Sequence, residues 1–250
     1  MTSNDFCNPD RRRFLQAAGA IAAAYGLGLN PLTAFSATDS GPKVKIGTIG
    51  SGRIGSTLGT LWAKAGHEVM FSSLDLEGDK KLAASVGPNA RAGTSREAAA
   101  FADVLLLAVP YRAVPQVGKD LGDLLKGKIV IDASNPIVAR DGDIATWARD
   151  KGAGLASAEL LPGARIVRAF NAIGYARLPE IAQGKGERIG MPIAGNDQKA
   201  IEVASRLIRE IGLEPVLVGP LAMGKYLMPG TPLAGEHSPE QIRKIVSTLS

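Results

Sequence analysis

From residue 43 onward, apolar and polar positions repeat one grammar. "KVKIGTIG" (43–50) is a short β-rich run ending in glycine. Ser51 to Ala65 has helical spacing and is closed by Gly66. "HEVMFSS" is a second strand-like run, "DKKLAASVG" reads as a helix, and a short strand is expected near Ala90. "REAAAFA" is helical, and "DVLLLAVP" is a continuous apolar run ended by Pro110. "KIVIDASNP" repeats that pattern and is ended by Pro136. Apolar runs buried on both faces and alternating with helices predict a parallel sheet. Right-handed crossovers then give an α/β fold, doubly wound around a mostly parallel sheet.

The second half continues less regularly. "ARIVRAFN" (164–171), "RIGMPIAG" (188–195) and "EPVLVG" (214–219) read as further strands. "DQKAIEVASRLIREIG" carries apolar residues at 3–4 spacing and predicts an amphipathic helix, capped at Asp197 and stopped at Gly212. "SPEQIRKIVSTL" predicts a terminal helix capped at Ser238. The organisation expected is residues 1–40 as an export signal and linker, 41–150 as a dinucleotide-binding domain, and 151–250 as a small C-terminal α/β extension. That extension would complete the sheet and the substrate pocket.

The first forty residues follow a different pattern. "DRRRFLQAAGAIAAAYGLGLN" has consecutive arginines, then Phe14 and Leu15, then a small-residue apolar stretch from Ala17 to Leu29. A basic start, an apolar middle and a polar end is the order of an export signal. Arg11 and Arg12 before x-Phe-Leu resemble the twin-arginine type, which implies the twin-arginine export machinery as a partner and a periplasmic or extracytoplasmic destination. The apolar stretch is shorter than a span of about 20 residues. "TAFSA" (33–37) offers no clean cleavage site, so retention as an anchor stays open. The one cysteine, Cys7, excludes an intramolecular disulfide and a cysteine-based metal site.

Composition narrows the chemistry. Aromatics are 5% of the chain, and the net charge of +5 is scattered, so nucleic acid is not an expected partner. No metal-ligand cluster and no serine–histidine–acid arrangement is evident. His67, in "AGHEV", reads as structural, and His237 falls in an expected loop.

The carrying motif is "GTIGSGRIG". Gly50, Gly52 and Gly55 have G-x-G-x-x-G spacing after an expected strand and at the start of an expected helix. The first glycine permits the tight turn, the second lets the backbone approach a pyrophosphate, and the third lets the helix pack close to the strand. Ser51, Arg53 and Ile54 complete the cofactor turn, whose helix N-terminus offers free N–H donors. About 20 residues on, an acid would take the ribose hydroxyls of NAD. Here Ser72 and Ser73 stand instead, and their hydroxyls, with Arg53 and Lys80 or Lys81, favour NADP(H). Asp75 lies close enough to reach the ribose, and the serines also suit an ordinary strand end. Val109, Pro110, Asn135 and Pro136 follow strands and are expected at the nicotinamide end.

Taken together, these stretches with "ADVLLLAVPYRAV", "IDASNPI", "VRAFNAIG" and "IAGND" resemble the deazaflavin-dependent NADP oxidoreductases, the NADPH:coenzyme F-420 reductase-like proteins. The resemblance runs from about Lys43 to Gly219. It implies a Rossmann fold, shared with the nucleotide domain of metalloreductases. It also implies direct hydride transfer between NADP(H) and a deazaflavin (coenzyme F-420), a flavin or another small-molecule redox acceptor. The chain departs from the family pattern at Leu74, where arginine often follows the serines.

Such chemistry needs little acid–base help, and no catalytic acid or base is assigned. For the acceptor, Asn171 is expected to face the second ring and Arg168 to hold an anionic group, the alternative for Arg168 being a solvated or paired charge. Met223, with Lys225 and Tyr226, would wall the pocket. A homodimer is left open. The competing reading is an exported nucleotide-binding module without turnover. A third, dehydrogenation of an imino or β-hydroxy acid, would want a positioned lysine that the sequence does not place.

Overall fold

The structure, a computed structural model, describes residues 41–184 and 188–249. The arginine pair, the apolar stretch and Cys7 lie outside the described residues. Eight strands form one sheet: β1 (Lys45–Ile49), β2 (Glu68–Ser72), β3 (Ala90–Ala92), β4 (Val104–Leu107), β5 (Ile129–Asp132), β6 (Arg165–Arg168), β7 (Gly190–Gly195) and β8 (Glu214–Gly219). Their order is β3-β2-β1-β4-β5-β6-β7-β8. Every neighbouring pair is parallel except β6 and β7, which run antiparallel.

Side-chain alternation builds two cores, one on each face. From β4, Val104 and Leu106 enter one cluster while Leu105 and Leu107 enter the other. Ile131 and Val167 join the first, Val130 and Ile166 the second. The first face is covered by α1 (Arg53–Lys64), α2 (Leu76–Val86) and, further along the chain, a helix over Gln198–Glu210. The second is covered by α3 (Ser95–Phe101), α4 (Val114–Leu125) and a run of helices α5 (Val138–Asp141), α6 (Asp143–Lys151) and α7 (Ala153–Leu160). A single turn, α8 (Leu178–Ile181), precedes the Gln198–Glu210 helix, which is α9, and α10 (Pro239–Val246) closes the chain. Asp197 caps α9 through the Ala200 amide at 2.8 Å, and Ser238 forms a capping box with Gln241.

The run α5–α7 is absent from the sequence reading. The residues of α7 are small: "AGLASAEL" has no apolar stripe because it packs by close approach rather than by large side chains. A Cβ on Gly118 or Gly154 would sit on the backbone oxygen of Leu160 or Leu221. Helix α4 is a further element beyond those expected from the sequence, with Val114, Gly118, Leu121 and Leu125 forming its buried face at helical spacing.

Candidate functional site: a groove across the carboxyl ends of β1 and β4

Strand order reverses between β1 and β4, since β2 and β3 lie to one side and β5 and β6 to the other. Ligands of open α/β sheets bind outside the carboxyl ends of the strands at such a switch point. Two cavities flank it. One, of about 550 Å³, runs from Gly52 past Ser73, Leu74 and Asp75 to Arg112 and Gln116 on α4's side. The other, of about 320 Å³, runs from Gly52 and Arg53 to Ser134, Asn135 and Arg140. Gly52, Ala108, Val109 and Pro110 line both.

The glycine turn is built by exclusion. Gly50 has φ +95°, and a Cβ there would lie 2.6 Å from the Ala108 oxygen. A Cβ on Gly55 would sit on the Gly50 oxygen, so only glycine lets α1 start this close to the turn. Around Gly52 the opposite holds: a Cβ would meet nothing within 4 Å. Gly52 is the cap residue of α1, no side chain caps it, and the first turn carries no acid. An uncapped helix start beside open space is a cradle for an anion. The Gly50 and Ser51 amides both donate to the Ser72 oxygen, at 2.9 and 3.0 Å, and pin the turn to the end of β2.

The end of β2 differs from the sequence expectation. Ser72 is fully buried and its hydroxyl donates to the Thr48 oxygen at 2.5 Å, so it serves the turn and not a ligand. Ser73 lines the larger cavity, but its hydroxyl donates to Asp79 at 2.9 Å. Asp79, buried on α2, also accepts from the Ser51 hydroxyl and thereby ties the glycine turn to the strand end. Asp75 lines the cavity while its carboxylate caps α2 through the Gly78 amide at 2.9 Å. Arg53 sits on the smaller cavity with its guanidinium 5.5 Å from the centre of the Tyr175 ring.

At the ends of β5 and β6 the polar residues hold one another. Arg168 and Asp132 are cross-strand partners in the β5–β6 register, and both are completely buried. The Arg168 Nη1 donates to Asp132 Oδ2 at 2.7 Å, and Nη2 donates to the Ser134 oxygen at 3.1 Å. Arg168 is thus a buried paired charge, the alternative to the anion-holding role expected for the acceptor: a guanidinium one strand over from a buried acid is drawn into pairing with it. Asn171, 3% exposed, donates from Nδ2 to the Asp132 and Ser134 oxygens, both at 3.1 Å. Its Oδ1 is buried without a partner, as is the Arg168 Nε.

Phe170 supplies the sharp bend between them, with φ +65° in a region costly for a bulky residue. Its ring packs edge-on against Trp62 at 5.9 Å, and its amide donates to the Met191 sulfur at 3.3 Å.

Asn135 lines the smaller cavity and donates to the Asn171 oxygen at 2.9 Å, while the adjacent Pro136 is buried. Arg140 lines the same cavity, donates to the Asn135 oxygen at 2.8 Å and pairs with Asp141 at 2.8 Å. Burial opposes the charge on Asp141, but the Arg140 guanidinium and the Ile137 amide outweigh it and hold its pKa below the usual range. Behind Pro110, Tyr111 is buried against Ser157 at 3.2 Å, and burial pushes its pKa up to about 12.

Met223 lines neither cavity. It packs against Gly219 in the 3₁₀ turn Leu221–Tyr226, and Lys225 and Tyr226 also lie outside both linings. His67 is buried, accepting from the Val44 amide at 3.2 Å and meeting Glu210 at 2.5 Å, a structural role. His237 contacts the Ala234 oxygen at 3.1 Å. Among the described residues, no group of histidines, cysteines and acids could hold a metal ion.

Sequence reasoning missed Asp79, Asp132, Arg112 and Arg140. Only the Asp132–Arg168 pair left a signal, as single charges ending the apolar runs "KIVID" and "ARIVR".

Comparison with known proteins adds to this geometry. Residues 45–136 match the family described as NADP oxidoreductase, coenzyme F420-dependent. An F420-dependent NADP reductase of Methanothermobacter thermautotrophicus is 31% identical over 204 residues, covering 76% of this chain and 87% of that protein. Metalloreductase STEAP3 of Rattus norvegicus is 29% identical over 181 residues, covering 72% of this chain but 35% of that protein. Among solved structures, a hypothetical protein of Sinorhizobium meliloti is 28% identical with a TM-score of 0.63, covering 79% of this chain and 96% of that one.

Proposed function

The chain belongs to the coenzyme F420-dependent NADP oxidoreductases, and from that premise we propose that it moves a hydride between NADP(H) and a flavin- or deazaflavin-like acceptor. The observation that carries this reading is the paired cavity meeting over Gly52, Val109 and Pro110 at the switch point. The residues fit a dinucleotide: open space at Gly52, an uncapped helix start, and a cavity on either side. When bound, NADP(H) supplies the hydride at its nicotinamide ring.

The chain's own residues orient and enclose. The Gly52–Gly55 backbone binds the pyrophosphate, and Ser73 with the larger cavity receives the adenosine. Val109, Pro110 and Asn135 border the smaller cavity, where the reacting ring belongs. The buried Asp132–Arg168 pair fixes the β5 and β6 ends so that Ser134 and Asn135 keep their place. Positioning and exclusion of water are what hydride transfer asks of a protein. No side chain here is assigned a proton to move.

The test is to incubate the protein with NADPH deuterated at the nicotinamide C4 and an oxidised deazaflavin, and to follow the label by mass spectrometry. Deuterium in the reduced acceptor supports direct transfer. Binding of NADPH without oxidation by deazaflavin, flavin or ferric complexes supports a nucleotide-binding module instead. We further propose export through the twin-arginine route, supported by Arg11, Arg12 and the apolar Ala17–Leu29 stretch. Replacing both arginines with lysine should leave the protein inside the cell.

A further inference from the structure

The larger cavity is where a 2′-phosphate would be told from a hydroxyl, and its charges do not favour the phosphate. A phosphate monoester carries close to two negative charges at neutral pH and is held by guanidinium, ammonium or free N–H donors. Two donors at the end of β2 and the start of α2 are engaged elsewhere. The Ser73 hydroxyl donates to Asp79 at 2.9 Å. The Gly78 amide at the start of α2 is taken by Asp75 at 2.9 Å.

Among the described residues, Arg112 is the only cation lining the cavity. Its Nη1 donates to the Arg140 oxygen at 2.8 Å and stands 3.8 Å from Asp141. Arg53 lies over Tyr175 at the other cavity, Lys80 pairs with Glu77 at 2.7 Å, and Lys81 is outside the lining. Against these stand two carboxylates in the lining, Asp75 and Asp120, and a third, Asp79, directly behind Ser73. At the mouth, where a cation would meet the phosphate, Leu74 projects fully exposed.

We infer that this chain does not select for the 2′-phosphate: it binds NADH about as tightly as NADPH, and Leu74 is the residue that sets this. The inference rests on the groove being the dinucleotide site. An arginine at position 74 would reach the phosphate from an exposed position and create charge-assisted hydrogen bonds.

The experiment is isothermal titration calorimetry of the full chain and of Leu74→Arg with NADPH and NADH, with 2′,5′-ADP and 5′-ADP as adenosine-end probes. The unmodified protein should bind the phosphorylated and unphosphorylated partners within about fivefold of each other. Leu74→Arg should keep its melting temperature and tighten NADPH and 2′,5′-ADP about tenfold or more, leaving NADH and 5′-ADP unchanged. A preference for NADPH above about fivefold in the unmodified protein, or a ratio unmoved by Leu74→Arg, overturns the inference while leaving the groove as the site. If no dinucleotide binds at all, the reading of the groove itself has failed.

Discussion

The two ends of the groove are made of different materials. Around β1 and α1 the site is backbone. Gly50 turns where a Cβ would strike Ala108, Gly55 packs where a Cβ would strike Gly50, and Gly52 opens onto empty space. Around β5 and β6 the site is side chains, and most of them are occupied with each other: Arg168 with Asp132, Asn171 with two carbonyls, and Asn135 with the Asn171 oxygen. At Gly50 and Gly55 the backbone is explained by the neighbours that exclude a Cβ, whereas Gly52 has no such neighbour. A polar side chain at a strand end has two explanations, ligand or neighbour, and here the neighbour usually wins. The family match, residues 45–136, takes in the whole backbone end and the β5 side of the other end with Asp132 and Asn135.

The sharpest way to break this comparison is at Arg168. Arg168→Ala leaves the Asp132 carboxylate buried without its counter-charge, which costs about 3–5 kcal/mol. Calorimetry should register this as a fall in Tm of about 10 °C. Were Arg168 a substrate ligand instead, Tm would hold and only the KM for the acceptor would rise.

The backbone end breaks differently at its two glycines. Gly55→Ala forces a Cβ onto the Gly50 carbonyl and should destabilise by about 1–3 kcal/mol, as overpacking does. Gly52→Val faces open space, so its circular dichroism and Tm should match the parent while NADPH affinity falls about tenfold or more. Equal loss of stability in both variants would show that Gly52 is structural and that the cradle has been misread.

A smaller effect lies behind Pro110. Tyr111 holds its proton to about pH 12 in the folded protein because it is buried. The unfolded chain releases that proton near pH 10. Stability from this group is therefore complete below about pH 10 and declines as pH rises toward 12. Chemical denaturation at pH 8 and pH 11 should show Tyr111→Phe losing less stability than the parent over that interval.

Much of the fold was legible because its signals are local. Each of the eight strands coincides with a run of β-type residues, and the α9 and α10 caps at Asp197 and Ser238 appear as helix-start residues. The helix Ala153–Leu160 was not legible, since small residues packed by close approach leave no periodic stripe. In the site, the glycines were readable because only one residue type meets each constraint. Ser72 was not, because a buried hydroxyl on Thr48 and an exposed one facing a ligand look alike in a sequence. Met223 was expected in the pocket and lines neither cavity: its turn closes on Arg168 through Gly224, while the Met223 side chain packs at Gly219.

The central claim is that a dinucleotide lies along the groove with its pyrophosphate on the start of α1. Hydrogen–deuterium exchange of the full chain with and without saturating NADPH tests it most directly, because the backbone amides themselves are the proposed ligands. The account predicts slowed exchange in the segments 50–56 and 109–117, with the 221–226 turn unchanged. Slowed exchange confined to 221–226, with 50–56 unaffected, would contradict it.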